Sequence, residues 1–238
     1  MIIAANFKTN HTRTSTETYL RQVETYMAER SVTDEVMVFP PATALLRGSG
    51  GVIVGAQNAW TVENGAFTGE IGTEQLDEFG IETILIGHSE RRHVLGESQE
   101  LIAEKFAFFS AKGYRIVYCI GEPLDVRDQG SEALMAYLDA QLEGIDLGYG
   151  GLVVAYEPVW AIGSGRVPSE QDIELIHAAL AEKTAAPLLY GGSVKVANAA
   201  AILALSHVDG ALVGSGALNA DDFCEMIAIA QQINTQEV

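Results

Sequence analysis

Apolar residues come along this chain in short unbroken runs, separated by longer polar stretches. The runs are IIAANF (2–7), VMVF (36–39), VIVGAQ (52–57), TILIG (83–87), RIVYCIG (115–121), LVVAYE (152–157), PLLYGG (187–192) and ALVGS (211–215). They do not alternate with polar positions, so each reads as a strand buried on both faces, the habit of a parallel sheet covered by helices. Between the runs, Thr14-Ser-Thr-Glu17 and Ser169-Glu-Gln-Asp172 have capping-box spacing, in which a hydroxyl takes a free amide of the first helical turn and an acid reaches back. SEALMAYLDAQLEGI (131–145) and DDFCEMIAIAQQI (221–233) carry apolar residues at helical spacing. Strand and helix are thus expected to alternate eight times. An α/β fold closed as a (β/α)8 barrel satisfies every strand edge. An open doubly wound sheet is the alternative, but no GxGxxG follows the first run. GSGG (48–51) reads as a turn and no linker divides the chain, so residues 1–238 read as a single domain.

Composition narrows the picture. The chain has 238 residues, 48% hydrophobic and 19% charged, enough for a large core. No apolar run approaches the roughly 18 residues of a membrane span. The start, MIIAANFKTN, does not read as a secretory signal. Cys119 and Cys224 lie in a strand-like and a helix-like run, so two buried thiols and a cytoplasmic setting are expected. The formal charge is −18, from 32 acids against 14 Lys and Arg, which argues against nucleic-acid and anionic-membrane partners. It also means that an anionic ligand needs local cations or backbone donors to hold it.

In a (β/α)8 barrel the active site lies at the C-terminal ends of the strands, and the unusual residues of this chain gather there. The first run ends in Asn6-Phe7-Lys8, the fourth in IGHSERR, the sixth in Glu157-Pro158, the seventh in YGGS (190–193) and the eighth in LVGSG (212–216). Glu157 alone fits a structural ion pair as well as a base. Pro158 biases it toward extended backbone, and the VWAIGSG that follows is suited to shield it from water. A water-excluded carboxylate has a raised pKa and serves as a base. His88 alone fits a structural histidine. The SERR after it reads as the start of a short helix, whose N-terminus favours a neutral imidazole able to hydrogen-bond a carbonyl oxygen. Lys8 alone fits a snorkelling lysine. Beside the LVGSG turn, with YGGS and Ile162-Gly163-Ser164 as further amide-rich turns, it reads as part of an anion site.

AYEPVWAIGSG, IGHSERR, NFK, YGGS and DGALVG, in this order and spacing, resemble the triosephosphate isomerase family over essentially the whole chain, as do AQN (56–58), GAFTGE (65–70) and CIGE (119–122). This family is itself the standard illustration of a glutamate base, a neutral histidine and a closing loop, so these roles come with the resemblance. It implies a TIM barrel without metal or organic cofactor, in which Glu157 removes a proton, His88 polarises the carbonyl and Lys8 balances charge with Asn6 beside it. Amides at Gly163, Ser193, Gly214 and Ser215 would hold the phosphate. Ser89, Glu90 and Leu212 would support the site. Pro158, Val159 and Trp160 would form one hinge of the loop. Residues 65–72, with Phe67 and Thr68 foremost, would make a homodimer contact.

Five departures from the family pattern stand out: Phe7 for a common Trp, Thr9 for Met, Ile71-Gly72-Thr73 where Ser-Pro is common after the Ile, Ser215 for Gly, and Pro168 near the second hinge. The first two are expected to affect packing only. The third leaves the dimer loop's geometry open, and the fourth restricts φ in the phosphate nest. Pro168 has no N–H for a Tyr190 hydroxyl bond expected in many members. The rival readings are an isomerase of a four-carbon ketose phosphate, which would keep the same base and phosphate grip, a barrel without catalysis used for protein interaction, and another phosphate-binding barrel enzyme such as an epimerase. Many such epimerases need a metal, and no ligand cluster marks these strand ends.

Overall fold

The computed structural model describes residues 1–48, 50–162 and 168–236. Its strands are β1 (Ile2–Asn6), β2 (Glu35–Phe39), β3 (Val52–Val54), β4 (Thr83–Ile86), β5 (Arg115–Ile120), β6 (Leu152–Tyr156), β7 (Leu188–Tyr190) and β8 (Gly210–Val213). The helices between and after them are α1 (Arg13–Arg30), α2 (Thr73–Asp77), α3 (Ser89–His93), α4 (Gln99–Ala111), α5 (Leu124–Arg127), α6 (Ser131–Gln141), α7 (Glu170–Ala181), α8 (Val196–Leu203) and α9 (Ala220–Gln236). All strand pairs are parallel, in the order β3-β2-β1-β8-β7-β6-β5-β4. The ends of that order meet through Ala56, whose N–H donates to Thr83 O at 2.9 Å and whose carbonyl accepts from Leu85 N–H at 2.8 Å. The sheet is a nearly closed (β/α)8 barrel, as the run pattern implied.

Burial on both faces has a simple cause here. Ile2, Ala4, Met37, Phe39, Leu85, Val117, Cys119, Val153, Ala155, Leu189 and Leu212 form the inner core, and the half-buried Ile53 of the short β3 packs against it. The intervening residues pack outward against the helices in a second, larger core. Side chains two apart share a face, so Asn6 and Glu157 continue the inward rows of β1 and β6 at their C-terminal ends. Both cysteines are free and buried. No helix of the described residues is long and apolar enough to cross a membrane.

Local details depart from the pattern. The β2–β3 connection carries only a 3-10 turn, Ala42–Ala44, among its described residues, so strict strand-helix alternation fails there. Pro40, Pro41, Gly48, Gly50 and Gly51 leave that segment too little helix-forming sequence. The cap of α1 is Thr12, not Thr14: Thr12 Oγ1 accepts the Ser15 N–H at 3.3 Å and Ser15 Oγ accepts the Thr12 N–H at 2.9 Å. At α7, Ser169 caps as expected, accepting the Asp172 N–H at 3.1 Å, and the Asp172 carboxylate accepts the Ser169 hydroxyl at 2.7 Å. Helix α6 stops at Gln141 rather than 145, since Gly144 has φ +78°.

Gly210 starts β8 at φ +155°, and a Cβ there would lie 1.8 Å from Ile2 O, in the seam that joins β8 to β1. Gly210→Ala is therefore expected to destabilise the protein by about 3 kcal/mol or more, measured by urea unfolding. A change below about 1 kcal/mol would mean that the seam yields.

Candidate active site

Glu157 leaves β6 and is held by main chain before its side chain does anything. Its N–H donates to Ile120 O at 2.7 Å. Gly121 and Gly191 flank it, and neither position admits a side chain: a Cβ on Gly121 would lie 1.7 Å from Glu157 O, and one on Gly191 would lie 2.6 Å from Glu157 Cγ. The YGG run is thus as much a groove for the glutamate as a turn.

Glu157 is 2% exposed. Glu157 Oε2 accepts the Ser89 N–H at 3.1 Å, and Oε1 faces His88 Nε2 at 3.1 Å. His88 Nδ1 accepts the Glu90 N–H at 3.3 Å, so the neutral ring carries its proton on Nε2 and donates it toward Glu157. Both amides are free donors of the first turn of α3, just as the SERR sequence implied. Ser89 holds Glu157 through its backbone; its hydroxyl is buried without a partner among the described residues.

Titration directions in this pair run against the sequence expectation. Burial pushes the Glu157 carboxyl up, but the charge and hydrogen bond of His88, the Ser89 N–H and the Lys8 ammonium outweigh it, and its pKa lies below the ordinary value. Burial pulls the His88 pKa down, yet the Glu157 carboxylate raises it by charge and hydrogen bond, and the net direction is up. The Glu90 N–H opposes this, since it uses the Nδ1 lone pair that an imidazolium must protonate. Glu157 and His88 are 69 positions apart in sequence and look like separate groups there, whereas the fold bonds them to each other, so each steadies the other's charge.

Lys8 has φ +52°, rare for a residue with a side chain. Asn6 Oδ1 accepts its N–H at 2.9 Å and Gln57 Nε2 donates to its carbonyl at 2.8 Å, fixing that conformation from both sides. Lys8 Nζ meets Glu90 Oε1 at 2.6 Å, and its Cε passes so close to Gly214 that a Cβ there would lie 3.3 Å away. Asn6, Lys8, His88, Glu157, Ile162, Gly191, Ser193, Leu212, Gly214 and Ser215 all line one pocket of about 120 Å³. Gly163 lies outside the described residues, as do Ser164 and Gly165.

Pro158, Val159 and Trp160 lead into a 3-10 turn, Val159–Ala161. Glu122, fully buried, ties that stem down: Trp160 Nε1 donates to its Oε1 at 2.9 Å, the Tyr156 hydroxyl to the same oxygen at 3.1 Å, and Val159 N–H to its carbonyl at 3.0 Å. The roles of Gln57 and Glu122 escaped the sequence reading, although AQN and CIGE were the visible signals. Of the departures, Phe7 is buried against His11 and Tyr19, while Thr9 is exposed and so packs little. Ser215 is not among the described non-glycine residues with positive φ, so serine is unstrained there. Pro168 is buried and the Tyr190 hydroxyl has no partner among the described residues. Among those residues no three His, Cys, Asp or Glu side chains gather closely enough to hold a metal ion.

A family model described as triosephosphate isomerase matches residues 1–230. The chain belongs to the triosephosphate isomerase family. It is similar to the triosephosphate isomerase of Sulfurimonas denitrificans, 56% identical over 234 residues, 98% of both chains. That of Sulfurovum sp. is 56% identical over 227 residues, covering 95% of this chain and 99% of the other. That of Helicobacter hepaticus is 48% identical over 229 residues, covering 95% and 97%.

Glu157→Gln removes the negative charge that raises the His88 pKa and leaves burial, which lowers it. The His88 pKa is therefore expected to fall, read from an NMR titration of the imidazole. An unchanged value would show that the carboxylate does not set it.

Proposed function

We propose that this protein is a triosephosphate isomerase, interconverting dihydroxyacetone phosphate and D-glyceraldehyde 3-phosphate through an enediol(ate). The observation that carries this is one small pocket lined together by an acid, an imidazole that contacts it, a lysine and amide-rich turns. Family membership over residues 1–230 supports the same reading.

The chemistry follows from where charge develops. Glu157 takes the proton α to the carbonyl and returns it to the neighbouring carbon. His88, neutral, donates its Nε2 proton to the carbonyl oxygen as that oxygen gains charge and takes back the proton of the neighbouring hydroxyl, whose oxygen becomes the new carbonyl. Substrate entering between these two side chains replaces the bond that couples them, so both pKa shifts relax toward a stronger base and a neutral ring. These are the roles for which triosephosphate isomerase is the standard illustration. Lys8 balances the enediolate and phosphate charges, Asn6 holds its backbone, and Glu90 pairs with its ammonium. Ser193, Gly214 and Ser215 amides grip the phosphate, Gly163 adds a fourth, and Ser89 and Leu212 complete the surround. A dianion is thereby held in a protein of charge −18 by one lysine and oriented dipoles. The loop hinged at Pro158, Val159 and Trp160 closes over the substrate, excludes water and keeps the enediolate from losing phosphate. No metal or cofactor enters this scheme.

Residues 65–72 contact a second copy of the chain in a homodimer: positions 63–70 are all exposed, and Phe67 stands 44% exposed against Trp60. Free buried cysteines suit a cytoplasmic setting.

Glu157→Gln is expected to lower kcat for triose phosphate interconversion by about 10³-fold or more, with phosphate affinity nearly unchanged. Wild-type turnover in that variant would end the assignment. A coupled assay with a four-carbon ketose phosphate as a parallel substrate separates the nearest rival reading. Lys8→Met is expected to weaken inorganic phosphate inhibition by about 10- to 100-fold, and unaltered inhibition would remove Lys8 from the anion site.

A further inference from the structure

Gln141 is the last residue of α6, outside the barrel wall and absent from the pocket lining, yet its side chain is buried. Both polar atoms of its primary amide meet the main chain of one residue, Gly121. Oε1 accepts the Gly121 N–H at 2.8 Å and Nε2 donates to the Gly121 carbonyl at 3.2 Å. The pairing imitates a sheet partner at the point where β5 has ended and the ladder no longer supplies one. The Gln141 carbonyl in turn accepts the Tyr118 hydroxyl at 2.5 Å, which ties the helix end to β5 and sets the direction of the amide.

Gly121 is the residue pressed against Glu157. A Cβ at Gly121 would lie 1.7 Å from Glu157 O, 2.5 Å from its carbonyl carbon and 3.2 Å from its Cα. Gln141 therefore grips a peptide whose glycine packs directly on the base's main chain. The residues on either side of Gly121 meet the same segment: Ile120 O takes the Glu157 N–H, and Glu122 O takes the Val159 N–H.

We propose that Gln141 is a positioning residue for the isomerase reaction: by fixing the Gly121 peptide it sets where Glu157 stands relative to the substrate carbon. The inference rests on the isomerase reading. Proton transfer between carbon and a carboxylate is sensitive to displacements of about an ångström, whereas the amides proposed to hold the phosphate follow β7 and β8, neither of which pairs with β5.

Gln141→Met keeps the length of the side chain and removes both hydrogen bonds. It is expected to lower kcat by about 10-fold or more while the inhibition constant of inorganic phosphate stays within about twofold. The primary isotope effect with C-deuterated dihydroxyacetone phosphate should rise as proton transfer becomes limiting. If that variant fails to fold, Gln141→Glu, which retains an acceptor for the Gly121 N–H, carries the same comparison. A folded variant with wild-type kcat overturns the proposal. So does a fall in kcat that tracks the loss of folded protein and of phosphate affinity. Absence of turnover in the wild-type protein would instead overturn the isomerase reading, so the two failures are distinct.

Discussion

A carboxylate removed from water must be compensated by groups that the fold brings to it, and in this protein that demand falls on Glu157. Two compensating groups come from the first turn after β4: the Ser89 amide on one oxygen and the His88 ring on the other. The Glu90 amide then fixes which nitrogen of that ring carries the proton. Any arrangement that moved α3 away from the end of β6 would leave a buried charge unpaired, which costs more than a single domain can easily absorb. The barrel is what makes the meeting possible, because β4 and β6 flank β5 and their C-terminal ends converge on one mouth.

Closeness at that mouth depends on missing side chains. Gly121 and Gly191 lie where a methyl group would collide with Glu157, and Gly214 lies under the Lys8 side chain. These glycines serve close approach, the same reason a backbone amide is able to reach a phosphate oxygen. Behind them, buried polar side chains replace the ladder bonds that end with the strands. Gln57 serves the strained Lys8, Gln141 serves Gly121, and Glu122 serves the stem of the following loop.

The strongly acidic chain and the proposed anion site are compatible because they act over different distances. Exposed charges are screened over about 8 Å at physiological salt, whereas amides and a lysine in contact with a ligand are not. The Lys8–Glu90 pair shows the balance at close range, a cation already matched by an acid that a bound anion would join.

From the order of residues alone, eight buried strands, a closed parallel sheet and the clustering of Asn6, Lys8, His88 and Glu157 at strand ends were legible. The reason is that strand burial and βα turn chemistry are local patterns. The shift of the α1 cap to Thr12 and the lack of an α-helix among the described residues between β2 and β3 were not legible, because capping candidates and short segments are settled by packing against neighbours. Long-range pairings left no local trace: Gln57 with Lys8 spans 49 positions, and Glu157 with Ser89 spans 68. The direct contact of Glu157 with His88 reversed both pKa directions inferred from each residue's own surroundings. A sequence tells which groups stand at the mouth of a barrel, but the charge each one carries depends on its distance to the others, and only the tertiary structure sets that distance.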